Sequence, residues 1–167
     1  MSGIMRMTQA KNSKHKSPGK IKKDVLIKLV NAAVDASKNA FHPITSKGVG
    51  AAVLTAEDEI FQGCNVQTTI SGLGTCAEQC AIYHAVARGK YDYKAVAVYF
   101  PTRKFIKPCG MCLQLISEFS QVINRDIAII LVNNERKLRF TSVNKELKDA
   151  YGPRVAGKNI RAYMRNR

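Results

Sequence analysis

Hydrophobic positions recur at two spacings along this chain, and the switch between them divides it into helices and strands. Over residues 21–39, Val25, Leu26, Leu29, Val30 and Ala33 fall at helical spacing, and His42-Pro43 breaks the pattern. Residues 50–55 and 59–64 read as two strands of a hairpin around the acidic turn Ala56-Glu57-Asp58. A glycine-bearing loop over 65–74 leads into a helix expected over 75–88, with Thr75 as its cap and Gly89 as its stop. A strand over 95–100, a helix over 109–119 and a strand over 127–132 follow. The Asn133-Asn134 turn, a strand over 137–142 and a short helix over 144–149 complete the series. Helices and strands therefore alternate, and no internal repeat interrupts them.

At 167 residues and 46% hydrophobic composition, the chain can bury a core without disulfide staples. Its formal net charge of +15 is carried by the two ends. Residues 1–23 hold seven Lys/Arg and no acid, residues 153–167 hold five and no acid, and the body between has 15 bases against 12 acids. The expected organisation is a basic, disordered tail over 1–20, a catalytic domain over 21–153 and a basic tail over 154–167. A tail of this kind either solubilises the protein or acts as an arm for single-stranded nucleic acid, because Lys and Arg neutralise phosphates without reading sequence. No apolar run approaches the ~18 residues of a membrane span, and the first residues lack the apolar centre of a secretory signal. Five cysteines, an odd number, argue for a reducing compartment, which places the protein in the cytoplasm, with the nucleus as the alternative.

Three of those cysteines carry the chemistry. Cys76-Ala77-Glu78 and, further along, Pro108-Cys109-Gly110-Met111-Cys112 supply three thiolates and one carboxylate. A catalytic zinc takes three protein ligands and keeps its fourth position for water, so Cys76, Cys109 and Cys112 suit Zn2+. Glu78 stands beside the metal without binding it, where a carboxylate can take a proton from water and deliver it to a leaving group. This arrangement follows the zinc-dependent base deaminases. Alone, Pro-Cys-x-x-Cys also suits a redox pair or half of a four-ligand structural zinc site. Cys80, four residues beyond Cys76, could supply the fourth ligand and close the open corner, although it and Cys64 read better as small buried apolar residues. His84 reads as packed and not as a ligand. The cluster Tyr91, Tyr93, Tyr99, Phe100 and Phe105 reads as packing in preference to base stacking.

From about His42 to Pro153 the chain resembles the cytidine deaminase family, in its small homotetrameric form with a three-cysteine zinc site. Gly50-Ala51-Ala52, Gly63-Cys64-Asn65, Cys76-Ala77-Glu78, Pro108-Cys109-Gly110-Met111-Cys112 with Gln114, and Tyr151-Gly152-Pro153 carry the resemblance. It implies a three-layer α/β fold, a five-stranded mixed sheet flanked by helices. It also implies zinc-dependent hydrolytic deamination of cytidine or deoxycytidine to the uracil nucleoside and ammonia. By the same resemblance Cys76, Cys109 and Cys112 hold zinc and Glu78 moves the proton. The backbone near Ala77 holds the base, Asn65 the ribose, and Tyr151 reaches a neighbouring subunit's site.

Four positions depart from that family: Lys47 stands where Phe is usual, Gln67 for Glu, Ser71 for Tyr and Gln79 for Arg. The zinc machinery is kept while the residues expected around the sugar change. A carboxylate at residue 67 would accept from a sugar hydroxyl and repel a phosphate, whereas Gln67 can donate to a phosphate oxygen and Lys47 adds a cation. Two alternatives accordingly stand beside the nucleoside: cytosine within a nucleotide or single-stranded RNA or DNA, and a zinc-containing binding protein without catalysis.

Overall fold

The computed structural model describes residues 16–70, 72–152 and 162. Nine elements alternate along the chain: α1 (Lys23–Ser37), β1 (Gly50–Thr55), β2 (Ile60–Cys64), α2 (Ala77–Ala87), β3 (Tyr93–Tyr99), α3 (Gly110–Ile123), β4 (Ala128–Val132), β5 (Leu138–Ser142) and α4 (Val143–Glu146). The strands form one sheet in the order β2-β1-β3-β4-β5. β1 runs antiparallel to both β2 and β3, β3 and β4 are parallel, and β5 returns antiparallel to β4. The expected mixed five-stranded sheet is present.

Strand side chains alternate between the two faces, and each face is covered. Ala52 and Leu54, Ala95 and Ala97, and Ile130 and Val132 meet Leu29, Val30 and Ala33 of α1. On the other face Ala51 and Val53, Val96 and Val98, and Ile129 and Leu131 pack with Ala77, Ala81 and Ile82 of α2 and Leu113 and Ile116 of α3. This gives three layers, with the central strands β1, β3 and β4 buried on both sides.

β2 and β3 both oppose β1, so they are parallel to each other, and β3 is parallel to β4. Helices α2 and α3 are therefore the crossovers of two successive parallel units, and each begins beyond the C-terminal end of a strand. That edge is where open α/β sheets bind ligands. The approach of α2 to the sheet is close: a Cβ on Gly63 would lie 2.2 Å from Ala81 N and 2.6 Å from Ala77 O. Gly50 serves the other face, where a Cβ would lie 2.0 Å from Ala33 O.

Most boundaries shift by one or two residues from expectation, and some of the shifts have a visible physical reason. Cys76, not Thr75, is the N-cap of α2, because Thr75 is held in extended pairing with Val66, donating to Val66 O at 2.8 Å. α3 continues to Ile123, its end marked by Asn124 in the left-handed region (φ 52°). The last turns were not apparent because Ser117 and Ser120 are buried there, and Ser120 Oγ donates to Arg125 O at 2.8 Å. α4 starts one residue early with the buried Val143 and ends at Glu146, three residues short of the expected end.

The basic N-terminal tail lies mostly outside the described residues, but its last part touches the domain: Asp126 N donates to Lys16 O at 2.9 Å. The tail over 154–167 lies outside them except for Ala162. No helix of the described residues is long and apolar enough to cross a membrane.

The glycine contacts make a direct forecast. Gly63→Ala should lose about 3 kcal/mol of stability, since the clash is with backbone that cannot rotate away. Urea unfolding should show a lower midpoint, and an unchanged midpoint would contradict the packing described.

Candidate active site

Cys76 and Cys109 are the N-caps of α2 and α3, and the two helix starts bring three sulfurs together. Cys76 Sγ lies 3.9 Å from Cys109 Sγ, Cys109 Sγ lies 3.5 Å from Cys112 Sγ, and all three are within 4.8 Å of one another. Tetrahedral zinc with Zn–S bonds of ~2.3 Å requires sulfur atoms ~3.8 Å apart. The spacing fits. Cys112 is buried, Cys76 half-buried and Cys109 exposed, so the trio is reachable from one side. Free N–H groups and partial positive charge at both helix starts favour thiolate there.

Cys76 and Cys112 hold their protons unequally. Hydrogen bonding with Cys112 holds Cys76 down to about 6 against the opposing effect of burial. Cys112 is pushed well above the usual thiol range, first by the same hydrogen bond and then by burial. Cys76 is thus more ready than Cys112 to bind a cation, and metal binding would remove the remaining protons. Its orientation is fixed by a capping box in which the sulfur faces the N–H of Gln79 while Gln79 Oε1 accepts from Cys76 N at 3.3 Å. Gln79 therefore acts here on the backbone of Cys76.

Glu78 lies in the first turn of α2 and is only 5% exposed. Burial raises its carboxyl to about 7, with its own backbone N–H pulling in the opposite direction. A carboxyl balanced near neutrality can both accept and return a proton.

Cys76, Cys109 and Glu78, but not the buried Cys112, line a cavity of about 450 Å³, within the usual range for small-molecule sites. Of the residues expected at the site, Lys47, Asn65, Gln67, Cys76, Ala77, Glu78 and Cys109 line it. Tyr151 does not. The residue is 71% exposed, and its backbone is clasped by Gln114, with Tyr151 N donating to Oε1 at 3.0 Å and Nε2 donating to Tyr151 O at 2.7 Å. Ser71 lies outside the described residues. Thr45, Val49, Val98, Phe100, Ile106 and Lys107 also line the cavity and were not singled out for it. Phe100 had only its place in an aromatic cluster to mark it, and it follows the C-terminal end of β3.

The remaining candidates fall to packing. Among the described residues the sulfur cluster does not include Cys80, so Cys80 does not close the fourth corner. Cys64 and Cys80 are partly exposed instead of buried, with Cys64 Sγ donating to Asn39 O at 3.5 Å. His84 Nδ1 pairs with Gln62 O at 3.1 Å and its ring meets Phe61 edge-on. Tyr93 packs on Phe119, and Phe105 lies beneath the Arg139 guanidinium.

Purified protein should carry about one zinc per chain, as a tetrahedral three-sulfur site requires. Cys76→Ser, Cys109→Ser and Cys112→Ser should each lose most of it by elemental analysis, while Cys80→Ser keeps it. Zinc lost in Cys80→Ser would mean a closed, four-sulfur site.

Comparison with known proteins agrees with this geometry. The family described as the cytidine and deoxycytidylate deaminase zinc-binding region matches residues 23–129. A cytidine deaminase of Sporosarcina psychrophila is 34% identical over 74% of this chain and 89% of its own length. The cytidine deaminase structure from Burkholderia pseudomallei superposes with a TM-score of 0.70 at 35% identity, covering 75% of this chain and 98% of that one. The Mycobacterium tuberculosis enzyme gives 0.64 at 26% identity, covering 77% and 98%. With the family model matched over residues 23–129 and a relative 34% identical over 74% of its length, the chain belongs to the cytidine and deoxycytidylate deaminase family.

Proposed function

We propose that this protein is a zinc-dependent hydrolase that converts cytosine in cytidine or deoxycytidine to uracil, releasing ammonia. The observation that carries the reading is the buried Glu78 beside three sulfurs at zinc spacing. Homologues named cytidine deaminase support it.

Cys76, Cys109 and Cys112 would hold the zinc, which when bound would supply the Lewis acidity that makes water nucleophilic near neutral pH. Glu78 takes a proton from the attacking water and passes it to ring N3 as the new C4–O bond forms. It then carries the second proton to the amine, the C4–N bond breaks, and ammonia leaves. Water is consumed and no redox partner is needed. The first-turn N–H groups around Ala77 hold the base, and the apolar wall of Val49, Val98, Phe100 and Ile106 excludes bulk water from it.

We assign catalysis to residues 21–153, with the basic ends outside that unit. We take the assembly to be a homotetramer, a reading that the family resemblance supports. Exposed apolar side chains at Met111 and Tyr151, 72% and 71% accessible in the single chain, are consistent with a surface that a second copy covers.

Glu78→Gln should keep its zinc and lose ammonia release by at least about 100-fold, the usual scale for removing a general acid/base. A variant that retains both zinc and near-normal turnover would remove Glu78 from the proton path. Retained zinc without any turnover by the parent protein on cytidine or deoxycytidine would favour the non-catalytic alternative.

A further inference from the structure

The sheet face that α1 covers is closed over β1, β2 and β3, where the helix makes its main contacts, and is open towards β5. Leu138 pairs with Val132 and Phe140 with Ile130, so both β5 side chains stand on the α1 side of the sheet, yet Phe140 is 59% exposed. Along α1, Lys23, Leu26, Ile27, Val30 and Asn31 fall at i, i+3, i+4, i+7 and i+8, one stripe of the helix. Together with Leu138 and Arg136 this stripe lines a second cavity of about 500 Å³, a size that suits a small molecule. It lies across the sheet from α2 and α3 and shares no lining residue with the cavity at the sulfur trio.

The middle of this groove is apolar and both ends are cationic. Lys23 and Asn31 are about 12 Å apart along the helix, and Arg136 stands at the Asn31 end, its Nη1 donating to Asn31 Oδ1 at 2.9 Å. That bond orients the guanidinium and leaves its other N–H groups for a ligand. Arg136 occupies the turn after β4 at φ 60°, in the left-handed region that glycine or asparagine adopts more readily. All 12 Asp and Glu residues of the chain lie among the described residues, and neither Lys23 nor Arg136 forms an ion pair with any of them. Asp35 feels the charge of Arg136 but is itself paired with Lys38 at 2.7 Å. The neighbouring Glu135 is taken by Arg103 and Lys137, and no carboxylate lines the groove.

Charge limits what can fill it. A cationic ligand would be repelled, and a neutral apolar one would cover charged heads without offering them an acceptor. The two ends of the chain are no better matched, since residues 1–15 and 153–167 contain Lys and Arg but no Asp or Glu. We propose that this groove binds a small amphipathic carboxylate, its apolar body against Leu26, Ile27, Val30 and Leu138 and its carboxylate on the Arg136 guanidinium. The planar fork of arginine matches a carboxylate with two parallel hydrogen bonds, and Lys23 at the other end keeps the groove positive. The inference is independent of the deaminase reading.

Calorimetric titration of the zinc-loaded full chain tests it with octanoate, octanamide and octylammonium, which share an apolar chain and differ in charge. Octanoate should bind at least about tenfold tighter than octanamide, the scale of one hydrogen bond to a charged group, and octylammonium should not bind. Arg136→Gly removes the guanidinium where the backbone suits glycine, so the variant should fold while the preference for octanoate falls towards one. Ile27 is 51% exposed, so Ile27→Glu should also fold, and it should abolish octanoate binding. Both variants should match the parent in cytidine turnover. No binding of hexanoate, octanoate or decanoate, equal affinity for octanoate and octanamide, or a preference unmoved by Arg136→Gly overturns the proposal. So does competition between octanoate and cytidine, which would put the ligand in the catalytic cavity. A changed oligomeric state of Ile27→Glu in sedimentation would make a second copy the occupant. Octanoate binding gained only when Ile4, Met5 and Met7 are all replaced by Ser would make it the chain's own first residues, and either result overturns the proposal.

Discussion

Everything at this site depends on two helix N-termini meeting at one edge of a sheet. The chain passes twice from the C-terminal end of a strand into a helix, once after β2 and once after β3, and each helix opens on a cysteine. Because β2, β3 and β4 share a direction, the two openings face the same edge. Three anionic sulfurs in one place would repel each other. Here they face the positive ends of two helix dipoles, and the divalent ion they suit would neutralise most of what remains.

The contrast between Cys76 and Glu78 shows how one helical turn serves two purposes. Cys76 caps the helix from a half-buried position and is drawn towards thiolate by its neighbour Cys112. Glu78, two residues on, is turned into the protein and kept closer to its neutral form by burial. A ligand needs its charge at all times, whereas a proton carrier needs to hold charge only part of the time. The difference arises from position on the helix more than from residue type.

Much of this was legible in the sequence, and the gaps have identifiable causes. The strands were readable because alternating Ala/Val/Leu runs are buried on both faces, and the sulfur trio because its spacing left few other chemistries. The end of α3 was obscured by two serines whose burial is offset by local hydrogen bonds. Thr75 looked like a cap because Ser/Thr usually are, but pairing with Val66 claims it first. Thr45, Phe100 and Lys107 reach the cavity only through tertiary structure, and no local pattern marks them. Gln67 was noticed for what it might offer a ligand, whereas its oxygen is committed to the backbone of Ile44 and Thr45.

That clamp has a further consequence. Residues 44–49 form no strand or helix of their own up to Val49, and a free segment of that length would lose conformational entropy whenever a ligand was seized. Side-chain amides from a neighbouring segment already hold it at four backbone positions, Ile44, Thr45, Lys47 and Val49. The ordering cost is thereby met during folding, and the irregular wall meets its ligand pre-organised.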